Sequence, residues 1–199
     1  RLERETGRLN EMIGTLLALS RVDAEGRLIE RTNLHLEDLV REVVADADYE
    51  ARSQHRRVIM RAADPCQVFG NADMLRSALE NVIRNAIRYT ASGSDVEVSL
   101  KFHSAEDRTM AIIEVRDHGP GAPANSLEDL FRPFYRLEDS RERTTGGVGL
   151  GLAITKQAVV LHGGKIVAGN APGGGLEVEI TMPAAPSIQL RVSSGQSRR

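Results

Sequence analysis

Asn81, Asn85 and Arg88 stand at i, i+4 and i+7 of the amphipathic run "NADMLRSALENVIRNAIRYT". A helix there turns all three to one face. Two amide oxygens beside a guanidinium suit a Mg²⁺-bound polyphosphate. Mg²⁺ takes oxygen ligands and keeps several waters, so one or two amides suffice, and arginine offers phosphate a planar fork. A solvated polar helix face would carry the same residues. Next, "EVRDHGPGA" brings a strand-like run to Asp117 and turns through Gly119, Pro120 and Gly121. A strand-end carboxylate can accept a hydrogen bond from an adenine amino group while Gly119 and Gly121 let the base approach. Asp- and Gly-rich surface turns are the plainer alternative.

Two further stretches carry chemistry. "DLFRPFYR" gathers Phe131, Phe134 and Tyr135 in a chain with only four Phe and three Tyr, and reads as a hydrophobic latch on a mobile loop. Between Arg132 and Arg143, four arginines face three carboxylates. That balance is too small to attract anions generally, yet one arginine of the run, Arg136 among them, would reach a terminal phosphate. "TTGGVGLGLAI" then sets glycines at 146, 147, 149 and 151 before an apolar helical pattern. Each glycine costs about 0.5–1 kcal/mol against alanine in ordered structure. Bare N–H groups at a helix N-terminus would repay that by seating phosphate. A flexible loop is the other reading.

These residues need elements to hold them. "LEDLVREVVADADYEA" has helical spacing, with Leu36, Leu39, Val40, Val43, Val44 and Ala47 on one face. "RRVIMRA" and "CQVFG" are short strand candidates. The asparagine-bearing helix should be capped at Asn71 or Asp73. "SDVEVSLKFH" and "RTMAIIEVRD" form a hairpin pattern around "SAEDR". "LAITKQAVVLHGG" returns to helix and stops at Gly163 and Gly164, and "KIVAGN" with "GLEVEITMP" supplies a closing hairpin. The fold class expected is α+β: a two-layer α/β sandwich with a mixed sheet and its helices on one face. The first segment, "RLERETGRLNEMIGTLLALSRVD", spaces Leu2, Leu9 and Leu16 seven apart, the stripe of a coiled-coil-like helix. It would pack against a second chain or dock on its own domain. The expected divisions are a helix over 1–24, a linker over 25–33, a compact domain over 34–184 and a disordered tail over 185–199, in which "SIQLRV" would be able to add a strand.

Composition narrows the class. With 41% hydrophobic and 27% charged residues the chain reads as globular, and a net charge of -2 without a basic block argues against general nucleic-acid binding. A single cysteine, Cys66, excludes an internal disulfide and an all-cysteine metal site. No apolar run approaches the roughly 20 residues that span a bilayer. The chain opens at Arg1 inside a helical pattern and reads as a piece of something longer.

Taken in order, asparagine helix, Asp-Gly-X-Gly turn, aromatic loop and Gly-rich helix entry, the sequence resembles the catalytic, ATP-binding domain of sensor histidine kinases. That domain belongs to the GHKL (Bergerat) superfamily shared with gyrase-type ATPases and the MutL repair proteins. "NVIRNAIRYT" is similar to the N box, "DHGPG" to the G1 box, "LFRPFYR" to the F box and "GGVGLGLAI" to the G2 box, and the glycines at 173–175 occupy the place of a trailing glycine motif. The first segment is similar to the second helix of the family's dimerisation and phosphotransfer hairpin. The aromatic loop reads most like that of envelope-stress-type sensors.

The resemblance implies ATP and Mg²⁺ as ligands. It makes Asn85 the principal metal ligand with Asn81 nearby, sets Arg88 on phosphate and Tyr89 beside adenine, and gives Asp117 the adenine amino group. Backbone around Gly147, Val148, Gly149, Leu150, Gly151 and Leu152 would meet the phosphates, with the glycines hinging an ATP lid from about residue 136 to 147. Arg88 departs from the lysine of many members but keeps the cation. The resemblance further implies a homodimer through the 1–24 helix, a cognate response regulator as partner, and a cytoplasmic location. The parent would sit in a bacterial inner membrane, anchored only through segments that this sequence does not contain.

The family's acceptor histidine lies in a context like His-Glu-Leu-Arg-Thr-Pro. None of His35, His55, His103, His118 and His162 has it, so the chain is expected to act on an acceptor elsewhere. Gyrase-type hydrolases place a glutamate one turn before the metal-binding asparagine. That position here is Asn81, and Glu80, about 100° of helical rotation away, is expected to point elsewhere.

Overall fold

The computed structural model describes residues 30–105, 108–137 and 148–186. Strand β1 (Thr32–His35) leads into helix α1 (Leu36–Arg52), followed by β2 (Arg57–Ala63), β3 (Cys66–Gly70) and helix α2 (Ala72–Tyr89). The hairpin β4 (Asp95–Ala105) and β5 (Arg108–Arg116) comes next, then two short 3-10 turns, helix α3 (Gly151–Leu161), and strands β6 (Lys165–Asn170), β7 (Leu176–Pro183) and β8 (Ala185–Pro186). The expected helix over 1–24, most of the 25–33 linker, residues 138–147 of the expected lid and the tail beyond Pro186 lie outside the described residues.

The main sheet has the order β2-β4-β5-β7-β6, with β2 parallel to β4 and the other pairs antiparallel. It is the mixed sheet expected. Period-two alternation stacks Val98 opposite Val115 and Leu100 opposite Ile113, then Ile113 opposite Ile180 and Val115 opposite Val178. All are buried in one core with Leu36, Val40 and Val43 of α1 and Leu79, Val82, Ile83 and Ala86 of α2. On the other face the intervening residues pair by charge, Arg61 with Glu97 and Lys101 with Glu114. The helices therefore cover one face and ions the other.

Local chemistry sets the element ends. Asn71 is the N-cap of α2, its Oδ1 accepting from Met74 N at 2.9 Å. In α1, Asp48 ties the helix to β2: its Oδ1 accepts from Arg57 Nε at 2.8 Å and Val58 N at 3.0 Å, and its Oδ2 from Arg52. Burial alone would raise its pKa, but these donors outweigh burial and hold it at about 2. Helix α3 ends where Gly163, at φ +72°, donates its N–H to Val160 O, and Gly164 N donates to Val159 O.

A second, three-stranded sheet β1-β3-β8 was not foreseen. β1 starts at Thr32, inside the expected linker, and β8 falls in the expected tail, pairing Cys66 with Pro186 and Gln67 with Ala185. These strands are four and two residues long, too short for periodicity to reveal.

Candidate functional site

The C-terminal end of α2 meets the turn after β5. His118 N donates to Thr90 Oγ1 at 3.1 Å, and Ala91 N to His118 O at 3.4 Å. A Cβ on Gly119 would lie 2.4 Å from Tyr89 O, so only glycine lets this turn press against the helix end. The contact brings Tyr89 and Asp117 together at one end of a cavity. Asp117 is 2% exposed. Its Oδ1 accepts from Gly119 N at 2.8 Å and from Leu176 N at 3.0 Å. Among the described residues no hydrogen bond reaches Oδ2. Burial pushes the Asp117 carboxyl up, opposed by those two backbone donors. The turn at 173–175 completes the support: at Gly175, φ +91°, a Cβ would fall 1.9 Å from Asp117 O.

The other end is closed by the start of α3. Thr155 Oγ1 donates to Ala78 O at 3.1 Å, and a Cβ on Gly151 would stand 3.4 Å from Asn81 Oδ1. No side chain caps this N-terminus and its first turn carries no acidic residue. Its free N–H groups and positive dipole end favour an anion.

Between these ends lies a cavity of about 480 Å³. Asn81, Asn85, Arg88, Tyr89, Asp117, Gly121, Arg136, Val148, Gly149, Leu150, Gly151 and Leu152 all line it. Gly119 stands behind the wall as backbone support, and Gly147 lies outside the described residues. Arg88 rests its guanidinium 5.6 Å from the Tyr89 ring centroid.

Three expectations change. Glu80 borders the cavity, as do Ser77 and Arg84. The cavity spans more of the helix circumference than the asparagine face alone. Glu80 is among its lining residues, roughly 140° of helical rotation from Asn85 at about 100° per residue. The aromatic stretch does not act as one latch. Phe131 is buried in the core, Phe134 is 61% exposed with φ +64°, and Tyr135 lines the cavity. Finally, the wall includes Leu130, Leu137, Ile154 and Leu176, which sequence reasoning did not single out. They are apolar residues brought in by tertiary packing, and only the "GGG" before Leu176 signalled that neighbourhood.

The residues present fit a magnesium nucleotide. Asp117 Oδ2 is an acceptor without a partner among the described residues, Asn81 and Asn85 offer neutral oxygens, and α3 offers N–H donors. No group of three or more His, Cys, Asp or Glu among the described residues could hold a metal alone, so the amides and the phosphates would have to share it. His35 closes β1, His55 lies in a turn, His103 in β4 and His118 in the loop after β5. His162 caps α3. None of the five lines the cavity.

The chain is similar to known proteins of one family. The model of the histidine kinase-, DNA gyrase B- and HSP90-like ATPases matches residues 70–186. The sensor histidine kinase CpxA of Escherichia coli (strain K12) is 39% identical over 184 residues, covering 92% of this chain and 39% of that protein. The signal transduction histidine-protein kinase BaeS of the same strain is 32% identical over 193 residues, covering 96% and 40% respectively. The chain thus spans about two fifths of these relatives. Among solved structures, full-length ShkA in complex with AMPPNP superposes with a TM-score of 0.75 at 25% identity, over 92% of this chain and 38% of that one. The mycobacterial sensor histidine kinase MprB gives 0.65 at 26% identity, over 79% of this chain and all of that one, 100%.

Proposed function

The chain belongs to the histidine kinase-, DNA gyrase B- and HSP90-like ATPase family, as a histidine-kinase ATP-binding catalytic domain, and on that premise we propose how its residues work. It binds Mg-ATP in the α2–α3 cavity and presents the γ-phosphate to a histidine on a separate hairpin helix, for relay to a response regulator. The observation that carries this reading is Asp117, which lines the cavity with Tyr89 and whose two backbone donors both use Oδ1, leaving Oδ2 without a hydrogen bond among the described residues.

Asp117 Oδ2 accepts from the adenine amino group, and Tyr89 flanks the base. Arg88 and the N–H groups at the start of α3 hold phosphate oxygens, with Arg136 reaching the terminal one. Asn85, with Asn81 beside it, holds Mg²⁺, which supplies charge neutralisation on the polyphosphate when bound. Asn81 stands where a hydrolase would carry glutamate, and Glu80, which also lines the cavity, is turned about 140° around the helix from Asn85. An incoming imidazole nitrogen therefore forms the new bond to phosphorus as the bridging P–O bond to ADP breaks. In-line positioning does most of the work.

The similarity to CpxA and BaeS supports dimerisation in general, and residues 1–24 are the proposed contact. It also supports a catalytic part on the cytoplasmic side of a bacterial inner membrane. No helix among the described residues is long and apolar enough to cross a membrane. Isothermal titration of the chain with ATP and GTP, with and without Mg²⁺, tests the reading. ATP should bind, more tightly with Mg²⁺ and in preference to GTP; absence of ATP binding would overturn it.

A further inference from the structure

We propose that Arg84 is a further phosphate-contacting cation beside Arg88 and Arg136, which reads the terminal phosphate and makes the site favour nucleoside triphosphate over diphosphate. The proposal rests on the reading of the cavity as a Mg-ATP site and deepens it. Its basis is the order of residues along one ridge of α2. The adenine end is fixed by Tyr89 and Asp117, and the opposite end by Gly151 of α3 packed on Asn81. A nucleotide whose base is held at the first end must extend its phosphates toward the second. Along that path Arg84 comes one turn beyond Arg88, about 6 Å closer to the α3 N-terminus at about 1.5 Å per residue.

The two arginines are differently engaged. Arg88 leans on the Tyr89 ring at 5.6 Å, toward the adenine end. Arg84 borders the cavity and is exposed, with no ion pair or hydrogen bond among the described residues. Glu80 precedes it by four residues, the favoured order for a helical ion pair, yet the pair is not made. Two like charges one turn apart on a ridge repel, and a polyphosphate lying between them removes that repulsion. Arg88 then serves the phosphates nearer the base and Arg84 the last one.

Isothermal titration of the whole chain with Mg-ATP, Mg-ADP and AMP tests this on wild type and Arg84→Gln. The side chain is exposed, so the variant should fold, and circular dichroism checks it. Losing one hydrogen-bonded charge contact should weaken ATP about tenfold, ADP by no more than about threefold, and AMP not at all. Arg84→Lys should recover part of the ATP affinity, and added salt should weaken ATP binding more steeply in wild type than in Arg84→Gln. Equal losses for all three nucleotides, or unchanged ATP affinity, would overturn the role of Arg84. A wild-type chain that binds none of them would instead remove the reading beneath it.

Discussion

His162 Nε2 accepts the backbone N–H of Asn71 at 3.0 Å, while its Nδ1 lies 2.6 Å from Ala158 O. One imidazole thus joins the C-terminal end of α3 to the N-cap of α2, the two helices that wall the cavity. Nε2 must be unprotonated to accept, which fixes Nδ1 as the donor. Arg31, which donates to Leu161 O at 2.8 Å, brings a positive charge to the same corner.

The first prediction follows from that joint. Burial first, then the nearby Arg31, lower the His162 pKa, opposed by the Ala158 carbonyl. The folded state therefore prefers the neutral ring. Its contribution to stability is complete above the unfolded value of about 6.5 and is lost as pH falls through the lower folded value. Urea unfolding from pH 7.5 to 5 should show a steeper loss for wild type than for His162→Gln. His162→Ala should cost about 1–3 kcal/mol at neutral pH, since it orphans the Asn71 N–H. Parallel pH profiles would show that the imidazole does not titrate as described.

Asp117→Asn separates binding from folding. An asparagine oxygen can still accept from Gly119 and Leu176, so the melting temperature should change by only a few degrees. The amide nitrogen, however, now faces the adenine amino group donor to donor. ATP affinity should fall about tenfold or more, while GTP, whose guanine presents a carbonyl at that point, should lose less. Equal losses measured by calorimetry would count against the adenine assignment.

Asp48 governs acid stability at the α1–β2 junction. Its pKa of about 2 lies below the usual carboxylate value of 3.8. Stability from this group is thus present above pH 3.8 and is lost as pH falls toward 2. Between pH 4 and pH 2, Asp48→Asn should lose stability less steeply than wild type. Identical slopes would mean that Arg57, Arg52 and the Val58 N–H do not hold the charge.

How far the sequence reveals this architecture depends on the range of the forces involved. α2, its Asn71 cap and both hairpins follow from local periodicity and local side-chain chemistry, and were legible. β1 and β8 were not, because two to four residues leave no period and their pairing partners, β3 in both cases, lie far off in sequence. At the site, helical spacing gave the shared face of Asn81, Asn85 and Arg88. It gave direction but not cavity width, so Glu80 and Arg84 were missed. Leu176 and Gly175 reach Asp117 only through the β5–β7 pairing. The aromatic stretch failed for a similar reason: side-chain type did not show that Phe131 would enter the core while Phe134, at φ +64°, would leave it.

Asn85→Ala tests the metal assignment. Removing the amide oxygen should abolish the tightening of ATP binding by Mg²⁺ while leaving metal-free ADP affinity within about twofold, because the adenine contacts at Asp117 and Tyr89 are untouched. Calorimetric titrations with Mg²⁺ and with EDTA read both quantities. An unchanged Mg²⁺ dependence would move the ligand to another residue.

Phosphoryl transfer in trans reads the proposed reaction itself. The chain is incubated with γ-labelled ATP, Mg²⁺ and a separate helical hairpin carrying a His-Glu-Leu-Arg-Thr-Pro acceptor. Acid-labile label should appear on the hairpin, none on the chain alone, and none anywhere with Asn85→Ala. Label on the chain alone that disappears when His118 or His162 is replaced would contradict it, as would release of labelled orthophosphate at the same rate whether or not the hairpin is present.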